Sequence, residues 1–156
     1  MAKKMKKIGM YTARGVTTEA ETNAGNPQRI HLFDGRFDTG YRVVDFQIFP
    51  ADFDASGSPD CIGKLSKVDT SGKSNTNFWR ADDNNEIAWS GGAGSSDLYQ
   101  DQVSIVDPEN LIIEDLFVYV RTGGGQTDFI NYIITLEKYE FSDWKGALEM
   151  AASRPE

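Results

Sequence analysis

Two adjacent stretches constrain this fold most: DPENLIIEDLFVYVR (107–121) and TDFINYIITLEKYEF (127–141), joined by TGGGQ. Both are dense in β-branched and aromatic residues, which suit a pleated, packed surface better than a helix. Gly123 to Gly125 between them predict a hairpin. Apolar residues on both faces predict that this hairpin is central in its sheet.

The rest of the chain has the same character. RIHLF (29–33) and YRVVDFQIFP (41–50) are strand-like and separated by the turn-rich DGRFDTG. Simple alternation in the second puts Val43 and Phe49 on one face and Val44, Phe46 and Ile48 on the other. CIGKLSKV (61–68) alternates Ile62, Lys64, Ser66 and Val68 against Leu65 and Lys67. NFW (77–79) and EIAWS (86–90) flank RADDNNE, a hairpin or loop, and SGGAGSSD (90–97) is a connection. Only SDWKGALEMAASR (142–154) switches to helical spacing, with Ser142 as its N-cap.

About eight strands and no helical stretch between them predict an all-β fold, an antiparallel β-sandwich with a short C-terminal helix. Residues 1–28 show no sustained period and read as a flexible basic N-terminal arm and linker. The sandwich domain then covers residues 29–156. A chain of 156 residues is long enough to bury one core without staples. The single cysteine, Cys61, forms no internal disulfide, so packing has to supply the stability.

Charge is unevenly placed. Lys3, Lys4, Lys6, Lys7 and Arg14 lie in the first eighteen residues, where no acid occurs. Subtracting these five positives from the net charge of −8 leaves −13 for residues 19–156. A body so acidic repels phosphate and anionic lipid, so no membrane partner is expected and only the arm suits nucleic acid. Gly9, Thr12 and Arg14 interrupt the apolar run that a signal peptide would need. The expectation is a protein made in the cytoplasm.

Site chemistry is sparse. In DFDASGSPDCIG (52–63), Asp52, Asp54, Ser56, the Ser58 carbonyl and Asp60 follow the spacing of a calcium loop of the EF-hand kind. Its twelfth position is Gly63 where a bidentate acid is required, and its flanks read as strands. The loop therefore either turns a corner, the simpler reading, or holds Ca2+ with help from an acid of another loop. His31 is the only histidine, which excludes sites with several His ligands. A Cys61–His31 dyad competes with the plainer reading of a small buried thiol. Among 24 acids no catalytic pair can be singled out, and no enzyme is expected. Trp79 and Trp89 suit either a sugar-binding surface or packing.

DQVSIVDPENLIIEDLFVYVRTGGGQTDFINYIITLEKYEFSDWKGALEMAA, with the earlier FQIFPADFDASGSPDCIGKL and NNEIAWS, resembles small structural proteins of marine bacteriophages. The likeness covers roughly residues 41–152, and it consists of a D-P turn, a long strand, a glycine-bearing hairpin, N-Y-x-I-x-L-E-K-Y and a short helix. It implies a virion component, a single jelly-roll capsid or capsid-associated protein, self-assembling as a homo-oligomer beside other virion proteins. No catalytic residues follow from it. The basic arm, Lys3, Lys4, Lys6, Lys7 and Arg14, would then touch packaged nucleic acid. The alternative is a calcium-dependent carbohydrate-binding β-sandwich module using Asp52, Asp54, Asp60 and Trp79.

Overall fold

The structure, a computed structural model, describes residues 5–18, 28–36, 38–51, 61–68, 79–92, 103–122 and 129–141. Among them are eight strands and no helix: β1 (Met5–Thr18), β2 (Gln28–Ile30), β3 (Thr39–Pro50), β4 (Cys61–Ser66), β5 (Glu86–Gly92), β6 (Val103–Val106), β7 (Leu116–Thr122) and β8 (Phe129–Phe141). They form two antiparallel sheets, of order β1-β8-β3 and β2-β7-β4-β5-β6. The helix expected at residues 142–154 lies outside the described residues.

Two expectations are corrected. Residues 5–18 are not an arm: they make a 14-residue strand that pairs with β8 along its whole length. The alternation of GMYTARGVTT is present in the sequence, but glycines and cations disguise it. β7 and β8 are each central, as their two-sided apolar character requires, yet they do not form a hairpin. β7 lies between β2 and β4, and β8 lies between β1 and β3 in the other sheet. Each has a ladder neighbour on both sides within its own sheet.

The core is the space between the sheets. Ile130, Tyr132, Ile134 and Leu136 of β8 and Val43, Phe46 and Ile48 of β3 face Leu65, Ala88, Leu116, Val118 and Val120 of the opposite sheet. Burying one such aliphatic side chain stabilises the fold by ~1.5–3 kcal/mol. In β3 the register shifts between Val43 and Asp45, so Val44 is an extra, unpaired residue. That bulge moves the alternation by one position. Val43 therefore joins Phe46 and Ile48 inside, while Val44 turns outward at 39% exposure, unlike the simple alternation.

The outer edge of β3 is closed by single residues of the other sheet's chain segments. Tyr41 and Ile112 exchange backbone hydrogen bonds of 2.7 Å in both directions. Beside the bulge, the Asn110 side chain stands in for a strand: Val43 N–H donates to Oδ1 at 2.8 Å, and Nδ2 donates to the Val43 carbonyl at 2.9 Å. Ile48 N–H donates to Ser90 Oγ at 3.2 Å, and Ser104 Oγ donates to the Phe46 carbonyl at 2.7 Å. β6 is thereby held alongside β3 although its ladder is with β5.

Candidate assembly edge

Among the described strands, β1 is the outermost of its sheet. Register with β8 places Tyr11, Ala13 and Gly15 on the core side, opposite Leu136, Ile134 and Tyr132. Met10, Thr12, Arg14 and Val16 stand on the outer side, opposite Glu137, Thr135, Ile133 and Asn131. Apolar residues are exposed on both sides: Met10 at 55%, Val16 at 47% and Tyr11 at 50%. Phe129, beside β1 on β8, is exposed at 58%. A strand wet on both faces and outermost in its sheet is a surface on which another strand can pair.

The start of β1 is better defended than the rest. Register shifts between Lys7 and Gly9, leaving Ile8 as a bulge. Lys7 Nζ lies 2.7 Å from Glu137 Oε2. The Lys7 ammonium and the Tyr139 hydroxyl, which donates to the same carboxylate at 2.8 Å, hold Glu137 below its ordinary carboxylate range. Lys6 stands across from Glu140. The cations thought to form a nucleic-acid arm are thus spread along a strand, with Lys7 engaged in an ion pair and Lys6 and Arg14 exposed. Lys3 and Lys4 lie outside the described residues.

Asp52, Asp54, Ser56 and Asp60, the calcium-loop residues, also lie outside the described residues. Among the described residues no group of three or more His, Cys, Asp or Glu side chains comes together as a metal site. Trp79 is 37% exposed, and its ring lies against Gly91, where an added Cβ would sit 3.3 Å from Cζ2. Trp89 is buried, and its indole N–H donates to Glu86 Oε1 at 3.0 Å. Cys61 is buried at the head of β4, whereas His31 is exposed after β2, with Nδ1 3.8 Å from Asp115 Oδ2.

Two polar clusters went unread in the sequence. Lys64 and Glu86 are both buried and joined at 3.0 Å, and the carboxylate also accepts the Trp89 indole N–H and, at 2.9 Å, the Arg80 backbone N–H. Lys64 Nζ lies 5.9 Å from the centre of the Tyr119 ring. In the second cluster, Asp115 accepts Arg29 Nε at 2.8 Å and the backbone N–H groups of Leu32 at 2.9 Å and Phe33 at 3.3 Å. Burial pushes this carboxyl up, but the Leu32 N–H, the Arg29 guanidinium and the Phe33 N–H outweigh it, and the net shift is downward. Both clusters fix loops to strands, which is structural work.

No protein-family model matches the chain, and neither a curated protein nor a solved structure matches it. The two-sheet architecture and the β1 edge are therefore the observations on which a functional reading has to stand.

Proposed function

We propose that the chain is a structural subunit of a bacteriophage virion, a single jelly-roll protein that assembles with copies of itself. The observation that carries this reading is the strand order. A jelly roll is an antiparallel ribbon rolled into two sheets, with the first strand beside the last, the second beside the seventh, the third beside the sixth and the fourth beside the fifth. Rolling that ribbon produces the sheet orders 1-8-3-6 and 2-7-4-5. Here β1-β8-β3 and β2-β7-β4-β5 follow that order. β6 departs from it by pairing with β5, but the Ser104 bond to Phe46 keeps it beside β3.

Jelly rolls serve in coat proteins, lectins and other roles, so the order alone does not choose among them. Two features favour the coat role. One is the resemblance to phage structural proteins read in the sequence of residues 41–152, and the other is the apolar residues exposed along β1. The role is structural rather than catalytic, in the virion after synthesis in the host cytoplasm. Contact with packaged nucleic acid falls to exposed cations of β1, Lys6 and Arg14, together with Lys3 and Lys4.

Size-exclusion chromatography and negative-stain microscopy of the purified full chain test this reading. Regular, large particles are expected. A chain that stays monomeric at high concentration, gains thermal stability with Ca2+ and retains glycans would instead establish the carbohydrate-binding alternative. Deleting residues 2–14 would remove most of β1, so the nucleic-acid role is better tested with Lys6→Gln and Arg14→Gln together. Their joint effect should lower the salt slope of DNA binding by about 2.

A further inference from the structure

We propose that β1 is the seat of a two-fold contact in which β1 of one copy pairs antiparallel with β1 of a second copy, with Thr12 on the axis. This deepens the assembly reading above by naming the partner and the register.

Three observations lead there. First, natural sheet edges are blunted by lysines, bulges and charges, and β1 concentrates those devices at its start, in Lys6, Lys7 and the Ile8 bulge. Beyond the bulge the strand is regular, and from Gly9 to Gly15 only Arg14 is charged. Thr12 is the midpoint of that stretch. Second, Met10, Tyr11 and Val16 are half exposed on the two faces, as an unaccompanied strand would leave them. Third, the charges select the register. A two-fold axis perpendicular to the sheet keeps like faces together, which allows the axis to pass through Tyr11, Thr12 or Ala13 near the middle of the strand.

With Tyr11 on the axis, Arg14 of one copy falls opposite Ile8 of the other, beside Lys7. With Ala13 on the axis, the two Arg14 side chains are diagonal neighbours. With Thr12 on the axis, Arg14 falls opposite Met10, three residues from Lys7 and four from the other Arg14, about 10 Å or more along the strand. Only this choice keeps every cation clear of its counterparts, and like charges facing each other destabilise a pair. It also sets Tyr11 opposite the small Ala13 and Gly9 opposite Gly15. The result is a continuous six-stranded sheet of order β3-β8-β1-β1-β8-β3 across two copies.

Symmetry makes the test direct, because Thr12 faces itself. The full chain carrying Thr12→Cys, treated with copper phenanthroline, should give a covalent dimer on a non-reducing gel. The unmutated chain, whose Cys61 is buried, and Lys6→Cys should give none. Thr12 is exposed, stands opposite the neutral Thr135 within its own copy and faces itself across the axis, so Thr12→Glu and Thr12→Lys each set like charges together and should each weaken self-association about tenfold in sedimentation. A chain that remains monomeric, equal cross-linking from Lys6→Cys and Thr12→Cys, or self-association unchanged by a charge at position 12 would overturn the pairing. Particles that form without the Thr12→Cys cross-link would refute this contact and leave the assembly reading standing. A cross-linked dimer with no larger particle would refute the assembly reading and leave the contact.

Discussion

Gly15 of β1 lies directly beneath the hydroxyl of Tyr132 on β8: a Cβ at position 15 would sit 2.5 Å from Oη and 2.8 Å from Cζ. Tyr132 is buried and packed within the core, so its ring has little room to yield. Gly15→Ala is expected to cost about 1–3 kcal/mol by overpacking. Tyr132→Leu removes the obstacle, so in a double-mutant cycle the alanine should cost much less in the leucine background. Urea unfolding of the four proteins measures this, and equal costs in both backgrounds would refute the contact.

Buried Lys64 and Glu86 form an ion pair whose halves are unequal. Glu86 accepts from Lys64, Trp89 and Arg80, so removing it strands three donors. Lys64→Met leaves the carboxylate with two neutral donors. Each single change should cost about 3–5 kcal/mol, the usual loss when one half of a buried pair is removed. Glu86→Ala is expected at the upper end and Lys64→Met at the lower, as read from denaturant midpoints at constant slope.

Asp115 links acid pH to the joining of β2 and β7. Its folded pKa is depressed below the unfolded value, so the stability it supplies is fully present above the ordinary carboxylate range. That stability is lost as pH falls through the lower, folded value. Asp115→Asn turns an amide toward Arg29 and should cost about 1–3 kcal/mol near neutrality. The variant's stability should also fall less steeply than the parent's below about pH 4. Thermal melts from pH 7 to pH 2 give both curves, and parallel curves would rule out this linkage.

Asn110 holds the β3 bulge through both backbone groups of Val43, and its Nδ2 also donates to the Asp107 carbonyl at 2.6 Å. Asn110→Leu orphans these groups and should cost about 2–4 kcal/mol. Asn110→Asp keeps the acceptor but loses both donated bonds. Hydrogen exchange at the Val43 amide should therefore speed up strongly in the leucine variant and less in the aspartate variant. Equal protection in all three proteins would show that Asn110 does not clamp the bulge.

What could be read from the sequence follows from physical range. The strand character of residues 41–50, 61–66, 86–90, 116–121 and 129–141 is a local property, and alternation with β-branched residues displays it. The central position of β7 and β8 was legible because apolar residues occupy both faces. Their assignment to separate sheets was not, since a glycine-rich link of a few residues serves a hairpin and a sheet-to-sheet crossing equally. The Val44 bulge was hidden because it depends on Asn110, 67 residues along the chain from Val43, supplying bonds that a neighbouring strand would otherwise make. β1 was misread for the same reason: Gly15 faces Tyr132, Lys6 stands across from Glu140 and Lys7 pairs with Glu137, and these reasons are visible only across the ladder. The Lys64–Glu86 pair also joins positions that alternation alone would leave in water.

The pairing of the first strand with the last carries a consequence for synthesis. A ribosome must release residue 141 before β1 and β3 acquire the strand that lies between them, and residue 122 before β2 and β4 do. Completion is thus a late, long-range event, slow in the way non-local topologies are. A chain interrupted before residue 141 has no complete β8 on which to display β1, so the contact proposed at Thr12 would be offered only by molecules synthesised past that point. Translation itself would then screen which copies join.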